Sequence, residues 1–237
     1  MSTHRPGGFS ILPPVTKNLI IICSILALAK YVLMNRGIDL DDYLGLHYYK
    51  SSLFNPYQFV TYIFIHGNFS HLFFNMFALW MFGSVIENYW GPKKYLTFFL
   101  LTGLGAALTQ LVIFYFTIAP QLNTFQLLID QSQGDWTTLE ALKNEKVAFL
   151  NSPGLTVVGA SGSLFGLLLA FGMLFPNSYI YLYFFIPMKA KYFVAIYGLI
   201  ELFSGISSSP DDNVAHFAHL GGMLFGFLLI MLWKTKK

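Results

Sequence analysis

The run NVAHFAHLGGMLFGFLLIMLW, from Asn213 to Trp233, decides the fold. A helix needs roughly 20 apolar residues to cross a bilayer. This run supplies them, with His216 and His219 confined to its first two turns. Lys234, Lys236 and Lys237 follow directly and read as a cationic anchor at the membrane surface. Five other stretches qualify as spans, at about 17–34, 69–90, 95–118, 157–175 and 191–207. The one at 191–207 is the weakest. The aromatic stretch Tyr179 to Ile186 before it is too short to span and ends at Pro187, Lys189 and Lys191. It reads as an interfacial connection, with the span beginning near Tyr192.

Composition points the same way. The 237 residues are 55% hydrophobic and only 11% charged, with a mean hydropathy of +0.58. A soluble domain carries about 25% charged residues, so lipid is the expected solvent. The net charge of +3 includes no basic block, which argues against a nucleic-acid partner. The single cysteine, Cys23, has no disulfide or metal-ligand companion. The start, Met1 to Pro14, is polar and proline-rich, and no small-residue cleavage site follows the apolar run from Leu19 to Leu33. That run reads as a retained span rather than a signal peptide. No internal repeat is evident. The expected organisation is a short cytoplasmic segment 1–16, one all-α, polytopic membrane domain over 17–233 and a tail at 234–237.

Lysine and arginine set the orientation. With the N-terminus inside, Lys17, Lys93, Lys94, Lys189, Lys191 and the terminal lysines lie on one side, and most acidic residues, including Asp41, Asp42, Asp135, Asp211 and Asp212, lie on the other. The expected location is a bacterial inner (plasma) membrane with both termini cytoplasmic. Two outer segments are long. Asn35 to His66 mixes aromatic and polar residues and suggests short amphipathic helices at the interface. Ala119 to Thr156 suggests a small water-exposed excursion with no chemistry of its own.

Spans two, four and six all enter from the outer side, and each carries polar residues near its start. His71 and Asn75 are four apart, on one face of span two. Ser161 lies just inside span four, and His216 and His219 begin span six. At 1.5 Å per residue all sit roughly 3–10 Å below the helix ends. Polar groups are expensive in lipid and usually face a bundle interior or a water-filled cavity, so one outward-opening pocket is the simplest arrangement. A serine and a histidine can form a nucleophile–base pair. His71 and the Asn75 amide can donate hydrogen bonds to an oxyanion. No acidic residue in these spans stands near enough to complete a triad, so a dyad is expected. Close helix approach through Gly162/Gly166 and Gly222/Gly226 would bring Ser161 to the histidines of span six.

Alone, each residue has a blander use. A membrane serine more often bonds its own backbone, and a membrane histidine more often joins two helices. His66 and His216 read as structural or pocket-lining groups. Glu201, an acid inside span five, is a functional candidate, and a packed or water-facing carboxyl is an equal reading.

The joint pattern resembles the rhomboid family of intramembrane serine proteases, a six-helix bundle. The family's H-x-x-x-N, G-x-S-G and H-x-G-G-x-x-x-G appear as His71–Asn75, Gly159-Ala160-Ser161-Gly162 and His219-Leu220-Gly221-Gly222 ending in Gly226. His66, Glu87 and Gly91 also match. Tyr57-Gln58 departs from the family's frequent Trp-Arg. The resemblance implies Ser161 as nucleophile, His219 rather than His216 as base, no cofactor or metal, and single-span membrane protein substrates cleaved at small residues near the surface. The segment Ser204 to Asn213 would cap the pocket as substrates enter from lipid. Rival readings are a catalytically inactive relative, a transporter without the usual repeats, and a metal-binding membrane protein. The last lacks H-E-x-x-H and has no carboxylate at ligand spacing.

Overall fold

The computed structural model describes residues 8–132, 135–182, 185–207 and 214–234. Among the described residues, five helices are long and apolar enough to cross a membrane: α1 (Pro14–Met34), α2 (Phe69–Trp90), α3 (Pro92–Gln131), α6 (Ala190–Ser207) and α7 (His216–Lys234). Between them come α4 (Trp136–Leu150) and α5 (Ser161–Leu174). The described residues also form two antiparallel strand pairs: β1 (Leu46–His47) with β2 (Thr156–Val157), and β3 (Tyr179–Leu182) with β4 (Ile186–Lys189). The second pair is the connection expected over Tyr179 to Ile186. The tail residues 235–237 and most of the Ser204 to Asn213 segment, residues 208–213, lie outside the described residues.

The first two spans are joined at one end by a carboxylate. α1 starts at Pro14, whose missing N–H costs nothing at a helix start. The next donors, Val15 N–H and Thr16 N–H, both reach the buried Glu87 carboxylate of α2, at 2.9 and 2.7 Å, and the Thr16 hydroxyl adds a third bond at 2.8 Å. An acid at a helix N-terminus satisfies free N–H groups and meets the positive end of the dipole.

The third span differs from expectation. The sequence set its end near residue 118, where apolarity falls. The helix instead continues through Pro120 to Gln131, 40 residues in all. That is about 60 Å, twice the roughly 30 Å hydrocarbon core, so its C-terminal part projects beyond the membrane. The outer excursion is mostly helical, because α4 follows, capped by Asp135 accepting from Thr137 N–H and Thr138 N–H. Loss of hydrophobicity ends a membrane span without ending a helix.

The fourth span is also revised. The stretch 157–175 contains a helix of 14 residues that begins only at Ser161. Residues Thr156 and Val157 are strand, and Gly159 has φ +117°, outside helical geometry. The helix rises about 21 Å, short of the bilayer core. It is enclosed by α3, α6 and α7 and buried along most of its length. Its first turn is therefore recessed below the end of the bundle.

The outer segment before α2 contains short helical turns at Leu40–Leu44 and Gln58–Thr61. Gln58, where the sequence departs from the family's usual pair, is fully buried. Its Oε1 accepts from Asn55 N–H at 3.1 Å and His47 N–H at 3.4 Å, while its Nε2 donates to the carbonyls of Leu53 at 2.9 Å and Tyr43 at 3.2 Å. One amide thus knits the loop. Lys30, buried in α1, pairs with Asp41 at 2.5 Å and donates to the His66 carbonyl at 3.3 Å, which ties that loop to the first span.

Candidate active site

Ser161 is the first residue of α5, and its approach is built from the outer loop. His47 Nε2–H donates to the Asp41 carbonyl at 3.1 Å, leaving Nδ1 to accept the Thr156 hydroxyl at 2.9 Å. β1 is thereby fastened to β2, directly before the Gly159 turn. Gly159 N–H donates to the Tyr62 carbonyl at 2.8 Å.

Gly159 is required twice over. Its φ lies in the region that side chains rarely adopt, and a Cβ there would stand 2.6 Å from both Cε1 and Nε2 of His71. The His71 ring therefore lies against the backbone two residues before Ser161. Its Nδ1 accepts from Gly67 N–H at 3.4 Å, so the neutral ring carries its proton on Nε2, the edge that meets Gly159. The structure brings His71 beside the Ser161 turn as a donor. His66 packs edge-on against it, with ring centroids 5.1 Å apart. Burial pushes the His66 imidazole down to about 3, so the ring is uncharged at neutral pH.

Asn75 is buried one turn further along α2. Its amide donates to the His71 carbonyl at 2.8 Å, and its Oδ1 has no hydrogen-bond partner. No hydrogen bond joins it to Ser161 or His219 among the described residues.

The glycines of α5 and α7 bring these two helices into backbone contact. A Cβ on Gly222 would stand 2.8 Å from the carbonyl carbon of Gly162 and nearer still to its oxygen. Only glycine permits this approach. One turn from it, His219 Nε2 lies 2.8 Å from Ser161 Oγ. Phe165 stacks on the His219 imidazole at 4.2 Å with 7° between the planes, fixing the ring face.

The expectation of no nearby acid is overturned. Glu201 of α6 is buried, and its Oε2 lies 2.8 Å from His219 Nδ1 and 2.7 Å from His216 Nδ1. Spans two, four and six carry no acid near these residues. The antiparallel return of α6 into α7 instead brings the end of one helix to the start of the next. The same finding corrects the statement that no carboxylate accompanies the histidines at ligand spacing: the donor atoms of Glu201, His216 and His219 all lie within 4.8 Å of one another. The separations of 2.7 and 2.8 Å are hydrogen bonds. Ligands about 2.0 Å from a tetrahedral metal stand roughly 3.3 Å apart, so the cluster as built is a hydrogen-bonded one.

Phe165 was missed by sequence reasoning. Its only signal was its place one turn after Ser161, on a helix that is mostly large and apolar from Leu164 onward.

Residues 54–235 match the family model for the Rhomboid domain. Similar curated proteins include an uncharacterized mitochondrial rhomboid protein of Schizosaccharomyces pombe, 25% identical over 98% of this chain and 68% of that one. A mitochondrial RHOMBOID-like protein 12 of Arabidopsis thaliana is 26% identical over 81% of this chain and 48% of its own length. The mitochondrial Rhomboid protein 1 of Saccharomyces cerevisiae is 27% identical over 70% of this chain and 38% of its own length. The chain thus spans less than half of the second and third of these relatives.

Proposed function

Because the chain belongs to the rhomboid family, we propose that it is an intramembrane serine endopeptidase whose nucleophile is Ser161 and whose general base is His219. The observation that carries this reading is the 2.8 Å separation of His219 Nε2 and Ser161 Oγ at the recessed start of α5. As Ser161 attacks a substrate carbonyl, its hydroxyl proton passes to His219 Nε2. The tetrahedral oxyanion forms beside the Ser161 backbone N–H and the His71 Nε2–H, donors aimed at charge that exists only in the transition state. His219 then protonates the leaving amine, and water hydrolyses the acyl-enzyme by the reverse sequence. Asn75 acts mainly through His71, whose carbonyl it holds.

The substrates proposed are single-span membrane proteins cut at small residues near the surface on the side of the helix starts. The start of α1 and the end of α7 lie on the opposite, lysine-rich side. The bacterial inner membrane expected from the sequence is withdrawn: three relatives carry mitochondrial names, and lysine asymmetry reports a side of the bilayer rather than which membrane it is.

The test is cleavage of a labelled transmembrane substrate in detergent. Ser161→Ala should melt as the wild type does and cleave nothing. A fluorophosphonate should label the wild type at Ser161 alone. Cleavage that survives the alanine change would falsify the assignment.

A further inference from the structure

The working form of the base depends on where its ring proton is held. His219 can accept the Ser161 proton at Nε2 only if its own ring proton sits on Nδ1. Left to itself a neutral imidazole exchanges between both tautomers. Here Nδ1 faces a buried carboxylate oxygen, Glu201 Oε2, at 2.8 Å. A carboxylate only accepts, so the Nδ1 proton is required by its partner.

The same oxygen stands 2.7 Å from His216 Nδ1. The two histidines are three residues apart on α7, and their rings meet edge-on at 6.3 Å. His216 thus braces the carboxylate from one side while His219 uses it from the other. Phe165 stacked on His219 prevents the ring from rotating away. The ring is therefore held by a plane contact, by a hydrogen bond at Nδ1 and by the nucleophile at Nε2.

We propose that Glu201 is a positioning residue of the proteolytic centre, acting on Ser161 through His219, with His216 orienting the Glu201 carboxylate. This deepens the serine-protease reading and rests on it. In the acylation step the Ser161 O–H bond breaks, its proton moves to His219 Nε2, and the serine oxygen bonds to the substrate carbonyl carbon. The charge on the resulting imidazolium is balanced by the Glu201 carboxylate, which stays ionised. The proton then leaves with the amine as the peptide C–N bond breaks, and His219 returns to its starting tautomer.

Glu201→Gln keeps the shape and an acceptor oxygen but removes the charge. It should lower kcat on the order of 10²-fold with KM unchanged. The same carboxylate-to-amide change in a soluble serine-protease triad costs about 10⁴-fold; the loss here is smaller because the Phe165 ring still holds the His219 imidazole in plane. Glu201→Asp, which restores the charge, should recover most of that loss. His216→Ala should cost less than Glu201→Gln, because the carboxylate keeps its charge and its bond to His219. Nitrogen-15 spectra of histidine-labelled wild type should show His219 protonated at Nδ1, a measurement that stands even if a variant fails to fold. A Glu201→Gln protein that melts normally and turns over at the wild-type rate overturns the proposal, as does a wild-type His219 protonated at Nε2. Ser161→Ala run alongside separates the two levels. If it is active, the protease reading itself fails. If it is dead while Glu201→Gln is normal, only the role of Glu201 fails.

Discussion

The contact between Gly162 and Gly222 gives the most direct test of how packing makes the site. In Gly222→Ala the new methyl carbon would stand 2.8 Å from the Gly162 carbonyl carbon, whereas carbon atoms rest at about 3.5–4.0 Å. The facing atoms are backbone, so no rotamer relieves the clash. α5 and α7 must part by roughly 1 Å, which carries the 2.8 Å Ser161–His219 contact past the range of a hydrogen bond. A displacement of that size costs on the order of 10² in rate, and overpacking costs about 1–3 kcal/mol in stability. Gly226→Ala is the matched control. Its methyl carbon would meet Phe98 Cζ at 3.2 Å and Gly166 Cα at 3.3 Å, contacts relieved by a few tenths of an ångström. Turnover of a labelled substrate, fluorophosphonate labelling rate and melting temperature, read on the same preparations, should show Gly222→Ala slow in both reactions and Gly226→Ala near wild type. A Gly222→Ala protein that folds and labels at the wild-type rate refutes the view that this contact sets the distance between nucleophile and base.

Three further outcomes follow from single positions. Gly159→Ala must fit a side chain at φ +117° and 2.6 Å from His71; it should lower kcat on the order of 10²-fold by displacing His71 and the Ser161 turn, and a circular dichroism spectrum will show the helices intact. His71→Ala should reduce kcat more than Asn75→Ala, because His71 faces the turn while the Asn75 amide is engaged at the His71 carbonyl; steady-state kinetics in one detergent gives the ranking, and the reverse order would count against His71 as the oxyanion donor. Gln58→Leu strands buried backbone groups at about 1–3 kcal/mol each, so its melting temperature should fall, with protease nicking of the outer loop as the readout.

The spans were legible because lipid leaves the chain little choice. Every backbone group must be bonded within its own helix, so length and apolarity announce a crossing. Ser161 and His219 were legible as candidates because the family's motifs and the flanking glycines marked them; Gly159, Gly162 and Gly222 are positions where a side chain would clash, and such positions gather where helices touch. The Glu201 contact was not legible. Its distance to His219 depends on how α6 and α7 lean on each other, and an isolated carboxylate in a span reads equally as packing or as chemistry. The extension of α3 was missed for a related reason. Apolarity measures what surrounds a helix, whereas the helix itself stops only where backbone geometry stops it, here at Ser132.

The departure at Gln58 shows how far from Ser161 its geometry is decided. Gln58 holds the backbone at His47, and the His47 ring holds Thr156, whose strand partner fixes the chain three residues before the Gly159 turn. From the other side, Tyr62 secures Gly159 by its carbonyl and α3 by its hydroxyl, which donates to the Gly103 carbonyl at 2.7 Å. The outer loop is thus a clamp on the start of α5 rather than a mere cover. A short, recessed helix has few contacts of its own above its first turn, and a nucleophile placed there must be held from above. An amide can serve in that clamp because the groups it gathers are neutral backbone donors and acceptors, both of which a glutamine matches and neither of which needs a charge.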